Sequence, residues 1–204
     1  MKKIILLTLT LGFSMLTLNA QKGKAKAKST STEYALNSGT TSVLWTGTKV
    51  GGQHTGAIKV SEGSLTLNGS TLSKGNIVID MNSITCTDIE NAEYNGKLIG
   101  HLKADDFFGT DKYPTATLAI TKATLVKDNN YKVVGNLTIK GKTHPIAFNS
   151  TINNVDGKLT ATSKIKVNRT KFGIKYGSGL IGTAQDKLIH DDFTLDITLE
   201  ANKK

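Results

Sequence analysis

The sequence predicts an all-β domain, a sandwich or a barrel, preceded by an export signal. Three observations lead there. Apolar and polar residues alternate with a period of two from Tyr34 onward, turn-forming pairs interrupt the alternation at short intervals, and an apolar run follows Met1-Lys2-Lys3. Alternation gives each strand one face for an apolar interior and one for water.

The elements follow in chain order. Residues 1–20 read as a signal peptide: two lysines, an apolar run from Ile4 to Leu18, and Ala20 before the cut. Thr8, Thr10, Ser14 and Thr17 break the run, which is short of the roughly 20 apolar residues a membrane helix needs. The only cysteine is Cys86, so no lipid-modified cysteine follows the signal. A periplasmic or secreted location is expected. Residues 21–33 begin QKGKAKAK and read as a disordered Lys-rich tether, either a solvated tail or a peripheral contact with an anionic membrane surface. Residues 34–204 form the folded domain.

Within it, strands are expected at 34–37, 41–49, 55–67, 71–81, 114–126, 131–139, 144–153, 158–168 and 193–201. The clearest are Phe193-Leu195-Ile197-Leu199 between Thr194, Asp196 and Thr198, and Leu159 to Val167 in alternation with Thr160, Thr162, Lys164 and Lys166. Gly51-Gly52, Asn68-Gly69, Lys140-Gly141 and Asp156-Gly157 supply turns. One stretch near residues 88–108 departs from the pattern. Asp88 can cap a helix, Gly96 weakens its continuity, Leu98, Ile99 and Leu102 form an apolar face, and Asp105 or Asp106 can cap a second short turn. A short helical insertion over one end of the sheet structure is expected.

Composition narrows the function. Of the formal net charge of +10, six positive charges belong to Lys2, Lys3 and the four tail lysines, which leaves about +4 for the domain. Without a basic stripe interleaved with aromatics, no nucleic-acid partner is expected. Cys86 cannot form an internal disulfide and has no neighbour at metal-ligand spacing. His190-Asp191-Asp192 is the only local cluster able to hold a cation, and surface or capping roles suit it better; no metal or cofactor is expected. No nucleophile motif is present, and Asp105-Asp106 point in different directions on a helix or a strand, so no catalytic residue is assigned. The Gly173–Gly182 segment lacks the Gly-Lys-Ser/Thr of a phosphate loop and reads as a flexible loop that can gate a mouth. An unpaired strand at either end offers an edge for a homodimer.

Three stretches carry a resemblance. They are His101-Leu102-Lys103-Ala104-Asp105-Asp106-Phe107-Phe108 with Lys112-Tyr113-Pro114-Thr115-Ala116-Thr117; Gly135-Asn136-Leu137-Thr138-Ile139-Lys140-Gly141 with Thr143-His144-Pro145-Ile146; and Asn168-Arg169-Thr170-Lys171-Phe172-Gly173-Ile174. In this order they resemble the YceI-like, polyisoprenoid-binding family of exported bacterial proteins. The resemblance implies an elongated eight-stranded antiparallel lipocalin-like barrel whose interior holds an isoprenoid or similar long-chain lipid. Gly109 and Lys171 depart from it, because many relatives carry acidic residues there.

On that reading the apolar cavity is assigned to Trp45, Leu98, Leu102, Phe107, Phe108, Tyr113, Phe148, Phe172, Tyr176 and Ile181, for which core packing is the alternative. Arg169, the sole arginine among 26 basic residues, is either a headgroup ligand or the partner of Asp105 or Asp106. His54 and His101 are further headgroup candidates. The competing readings are a solid-core interaction module and a lipid-processing enzyme.

Overall fold

The computed structural model describes residues 31–204. The proposed signal and residues 21–30 of the proposed tether lie outside the described residues. Nine strands follow one another: β1 (Ser31–Leu36), β2 (Ser42–Lys49), β3 (Gly52–Asn68), β4 (Thr71–Cys86), β5 (Thr115–Lys127), β6 (Asn130–Ile139), β7 (Lys142–Val155), β8 (Lys158–Asn168) and β9 (Ile189–Lys203). One helix, α1 (Ala92–Lys103), stands between β4 and β5, and three single 3-10 turns lie between β8 and β9.

All pairings are antiparallel and the sheet closes on itself through β3–β4. The barrel has eight staves, because β1 and β2 share one position between β3 and β9. β1 pairs with Ser64–Asn68 of β3 and Ala201–Lys203 of β9. β2 pairs with Gly52–Ile58 of β3 and with Ile189–Thr198 of β9. The terminal strands therefore have partners on both sides, which removes the free edge expected to support a dimer. Residues 31–33, placed in the tether by sequence, are already strand: Ser31 faces Asn68.

Local chemistry explains the hairpins. In the β6–β7 turn, Lys140 and Gly141 have φ of 51° and 70°; in the β7–β8 turn, Asp156 and Gly157 have 50° and 79°. Two consecutive left-handed residues make the tight turn whose twist matches paired strands. β3 and β4 have 17 and 16 residues, well beyond the usual strand length. At about 3.3 Å per residue such strands approach 55 Å and make the barrel long. Register shifts at Ala57/Lys59 and Val60/Glu62 bend them.

The barrel is zipped at one end and splayed at the other. β7 pairs with β8 only over Ser150–Val155, and β4 with β5 only over Gly75–Asp80. Beyond these points the walls separate, and α1 and the turns after β8 occupy the splayed end. The helix starts at Asn91, whose side chain accepts from the Tyr94 amide at 3.1 Å, and not at Asp88. It runs unbroken through Gly96, where no neighbour lies within 4 Å of an added Cβ. Residues 104–108 form a hydrogen-bonded turn, where the sequence placed a second short turn.

Candidate functional site

Alternation sends one face of every long strand into the barrel, where Leu159 and Ala201 are wholly buried. This interior is not completely filled. A cavity of about 130 Å³ lies at the splayed end, lined among others by Trp45, Ile58, Met81, Ile84, Leu102, Phe107, Phe108, Ala116, Arg169 and Phe193. A second, of about 60 Å³, continues from it and shares Val43, Ile79, Leu137 and Leu195 as walls. A third, of about 40 Å³, shares Ile77, Leu118, Ile165, Ile197 and Leu199 with the second and ends near Leu65, Leu72 and Leu159. The three chambers form one apolar row along the barrel axis.

The lid of the first chamber is built from α1 and the hydrogen-bonded turn at residues 104–108. Leu102 is buried on the inner side of α1, with Leu98 and Ile99 packed against the core beside it. Phe107 and Phe108 meet edge to face at 5.4 Å, and Phe108 meets Phe193 at 6.4 Å. The Lys140 ammonium holds this corner by donating to the carbonyls of Asp105 and Phe107.

Arg169 is 2% exposed and borders the same chamber. Its guanidinium donates to four main-chain carbonyls: Tyr176 at 2.7 Å, Ile189 at 2.9 Å, and Ile174 and His190 at 3.1 Å. The Asp191 carboxylate lies 3.5 Å away, in contact without hydrogen-bond geometry. Burial lowers the Arg169 pKa and Asp191 counters it. The expected partners are engaged elsewhere: Asp105 pairs with Lys112, and Asp106 with His101 at 3.2 Å. Arg169 therefore pins the loop after β8 to the start of β9, because its planar fork reaches carbonyls on both.

The structure divides the residues singled out by sequence. Trp45, Leu102, Phe107 and Phe108 line the first chamber and Phe148 the third. Leu98, on α1, packs against the core without lining a chamber. Phe172 is buried but meets His144 edge to face at 5.2 Å, outside the chambers. Tyr113 lies over the turn at Gly141, Tyr176 meets His101 edge to face at 4.4 Å, and Ile181 is 57% exposed. These three sit on the rim because the loops carrying them turn outward. His54 hydrogen-bonds Asp88 at 2.9 Å and His101 faces Asp106, so neither borders a chamber. Residues missed by sequence are mostly aliphatic: Ile79, Ile84, Leu137 and Leu195 line the first chamber with His190. Their only signal is their place on the inner face of an alternating strand. The Gly173–Gly182 loop follows one short 3-10 turn, Arg169–Phe172, and contains another, Gly179–Ile181, and its own Ile174 and Ser178 are fully buried.

Residues 34–201 match the YceI-like domain. The chain belongs to the YceI-like family. A UPF0312 protein of Staphylococcus aureus (strain USA300) is 37% identical over 87 residues, 39% of this chain and 48% of that protein. A UPF0312 protein of Staphylococcus epidermidis is 34% identical over the same length. The match thus spans about half the length of these curated relatives. Among solved structures, BcnA of Burkholderia cenocepacia superposes with a TM-score of 0.66 at 21% identity, covering 82% of this chain and 99% of that one. A polyisoprenoid-binding domain from Saccharophagus degradans superposes with a TM-score of 0.61 at 15% identity, over 84% and 98%. At these identities the likeness is one of fold. It establishes the elongated YceI-like barrel that the sequence resemblance implied.

Proposed function

We propose that this YceI-like protein is an exported binding protein that holds an isoprenoid or similar long-chain lipid inside its barrel, for carriage, storage or stress response. The row of three apolar chambers carries the reading. Apolar walls favour a hydrocarbon chain by about 0.8 kcal/mol per buried CH₂. The polyisoprenoid-binding domain of similar fold supports it. The lining of the first chamber, apolar apart from Arg169 and His190, supports binding rather than catalysis, and Arg169 is engaged by carbonyls. The signal-like N-terminus supports export, and the lysines after it support peripheral contact with an anionic membrane.

The chambers constrain the ligand. Even together they fall short of the roughly 300–1,000 Å³ of a drug-sized pocket. A bound chain must be slender, and it displaces the shared side chains Ile79, Leu137 and Leu195 as it enters. The same small volumes favour a second reading, a solid-core interaction module. Mass spectrometry of an organic extract of protein purified from its native host separates the two. Near-stoichiometric long-chain lipid is the expected result; absence of lipid, with no uptake of added polyprenol, supports the solid module.

A further inference from the structure

The β3–β4 ladder brings together three side chains that the lipid cavity does not use. Gly56 faces Cys86, and the Thr87 amide donates to the Thr55 carbonyl at 2.9 Å, so the ladder continues to set His54 beside Asp88. Cys86 ends β4, and Asp88, two residues beyond it, turns its carboxylate to the same face as the thiol. Ile84 and Ile58, which line the first chamber, lie on those same faces, so the cluster sits at the rim of the splayed end.

The geometry is close. His54 Nδ1 lies 2.9 Å from Asp88 Oδ2, Cys86 Sγ lies 3.2 Å from Asp88 Oδ1, and one ligand atom from each residue falls within 4.8 Å of the others. The carboxylate is held from outside by the Thr55 amide at 2.8 Å, the kind of outer contact that orients a metal ligand. Asn95 fixes the strand end by donating to the carbonyls of Cys86 and Ile89. Cys86 is buried, while the side chains of His54 and Asp88 are 32% and 31% exposed and leave an approach from solvent.

We propose that His54 Nδ1, Cys86 Sγ and Asp88 Oδ2 form a binding site for a divalent zinc-class ion, with one coordination position open. Zinc bonds of about 2.0–2.3 Å to N, O and S at tetrahedral angles set donors roughly 3.3–3.6 Å apart. The His54 Nδ1 to Asp88 Oδ2 pair reaches this by opening a few tenths of an ångström from 2.9 Å, and all three donors already lie within 4.8 Å of one another. Binding replaces the thiol proton with the metal and releases it to solvent, while the ion takes the Nδ1 lone pair of a neutral imidazole whose single N–H then sits on Nε2. Sulfur, imidazole and carboxylate donors on one ion suit zinc or cobalt and do not suit calcium or magnesium. The three residues come from strand segments 32 positions apart in sequence, so no local motif announces them.

Cys86 is the sole cysteine, so every thiol signal reports this site. Reduced, untagged protein is titrated with cobalt(II) and with zinc(II). The expected results are a saturable one-to-one thiolate-to-cobalt absorption band, its displacement by zinc, and slower alkylation of Cys86 when zinc is present. Outer contacts of zinc sites already contribute about 10–100-fold in affinity, so His54→Gln should weaken binding by at least that factor. Cys86→Ser should abolish the band. Wild-type protein without a thiolate band and with unchanged alkylation overturns the proposal, as does a band that survives Cys86→Ser. The wild-type measurements decide the matter even where a variant fails to fold.

Discussion

The Arg169 guanidinium lies 5.8 Å from the centre of the Phe107 ring, at the boundary between the first chamber and the loop after β8. The cation borders an apolar cavity while four carbonyls take up its N–H groups. This arrangement assigns Arg169 to the frame of the mouth and makes its replacement a test of stability before affinity.

Arg169→Lys is expected to destabilise the protein by about 1–3 kcal/mol for each buried carbonyl that loses its donor. A single ammonium cannot span both the loop and β9. Urea denaturation measures the loss, and the lipid content of the variant that remains folded should match wild type. Unchanged stability with lost lipid would transfer Arg169 to the ligand's headgroup.

Asp88 makes stability depend on acid. Burial pushes its carboxyl upward, but hydrogen bonds from Thr55, His54 and Cys86 outweigh this and bring it from 3.8 down to about 2. A depressed folded pKa contributes stability that is present above the unfolded value and lost as the pH falls from about 4 towards 2. Melting temperature against pH should drop across that window in wild type and less steeply in Asp88→Asn. Parallel profiles would show that the contacts of Asp88 contribute nothing to the pH dependence.

Ala116 is buried and faces the first chamber. Ala116→Phe should fill it, at an overpacking cost of about 1–3 kcal/mol. Lipid recovered with the variant should fall sharply while the circular dichroism of the β-barrel persists. Undiminished lipid in a folded variant would place the chain elsewhere.

Gly56 is required by close approach. A Cβ there would lie 1.8 Å from the Thr85 carbonyl oxygen and 2.7 Å from the Trp45 ring, and a main-chain atom cannot yield as a flexible side chain does. Gly56→Ala should cost at least the 1–3 kcal/mol or so of an overpacked core and lower the melting temperature. Gly51→Ala makes an informative contrast, since open space surrounds Gly51 and only its φ of 79° resists substitution.

How far the sequence revealed this molecule differs between strand and site. β8 is legible to the residue, 158–168, because uninterrupted alternation is bounded by Asp156-Gly157 and by Asn168, which caps the next turn. β4 runs five residues beyond its expected end at Met81. Asp80, Asn82 and Ser83 look like a polar break, yet they serve the main chain there: Asp80 accepts from the Asn82 amide and Ser83 from the Lys59 amide. α1 tolerates Gly96 because tertiary anchoring through Leu102 and Asn95 offsets a weak local preference. Aromatic residues draw attention to themselves by size, but the cavity walls are mostly ordinary Ile and Leu. These become neighbours only when strands distant in sequence curl together. The His54, Cys86 and Asp88 cluster is hidden for the same reason, since only strand register joins it.

The shared stave has a kinetic consequence. β1 finds partners in β3 and in the last residues of β9: Tyr34 lies opposite both Leu65 and Lys203. β9 also completes the pairing of β2 and β8. The seam therefore cannot close until nearly the whole described chain is present. Non-local contacts of this kind place folding in the slow range, on the order of milliseconds to seconds for small β domains. Until β9 docks, β2 and β8 expose unpaired edges, and a chain cut short before Ile189 would keep them exposed and prone to aggregate.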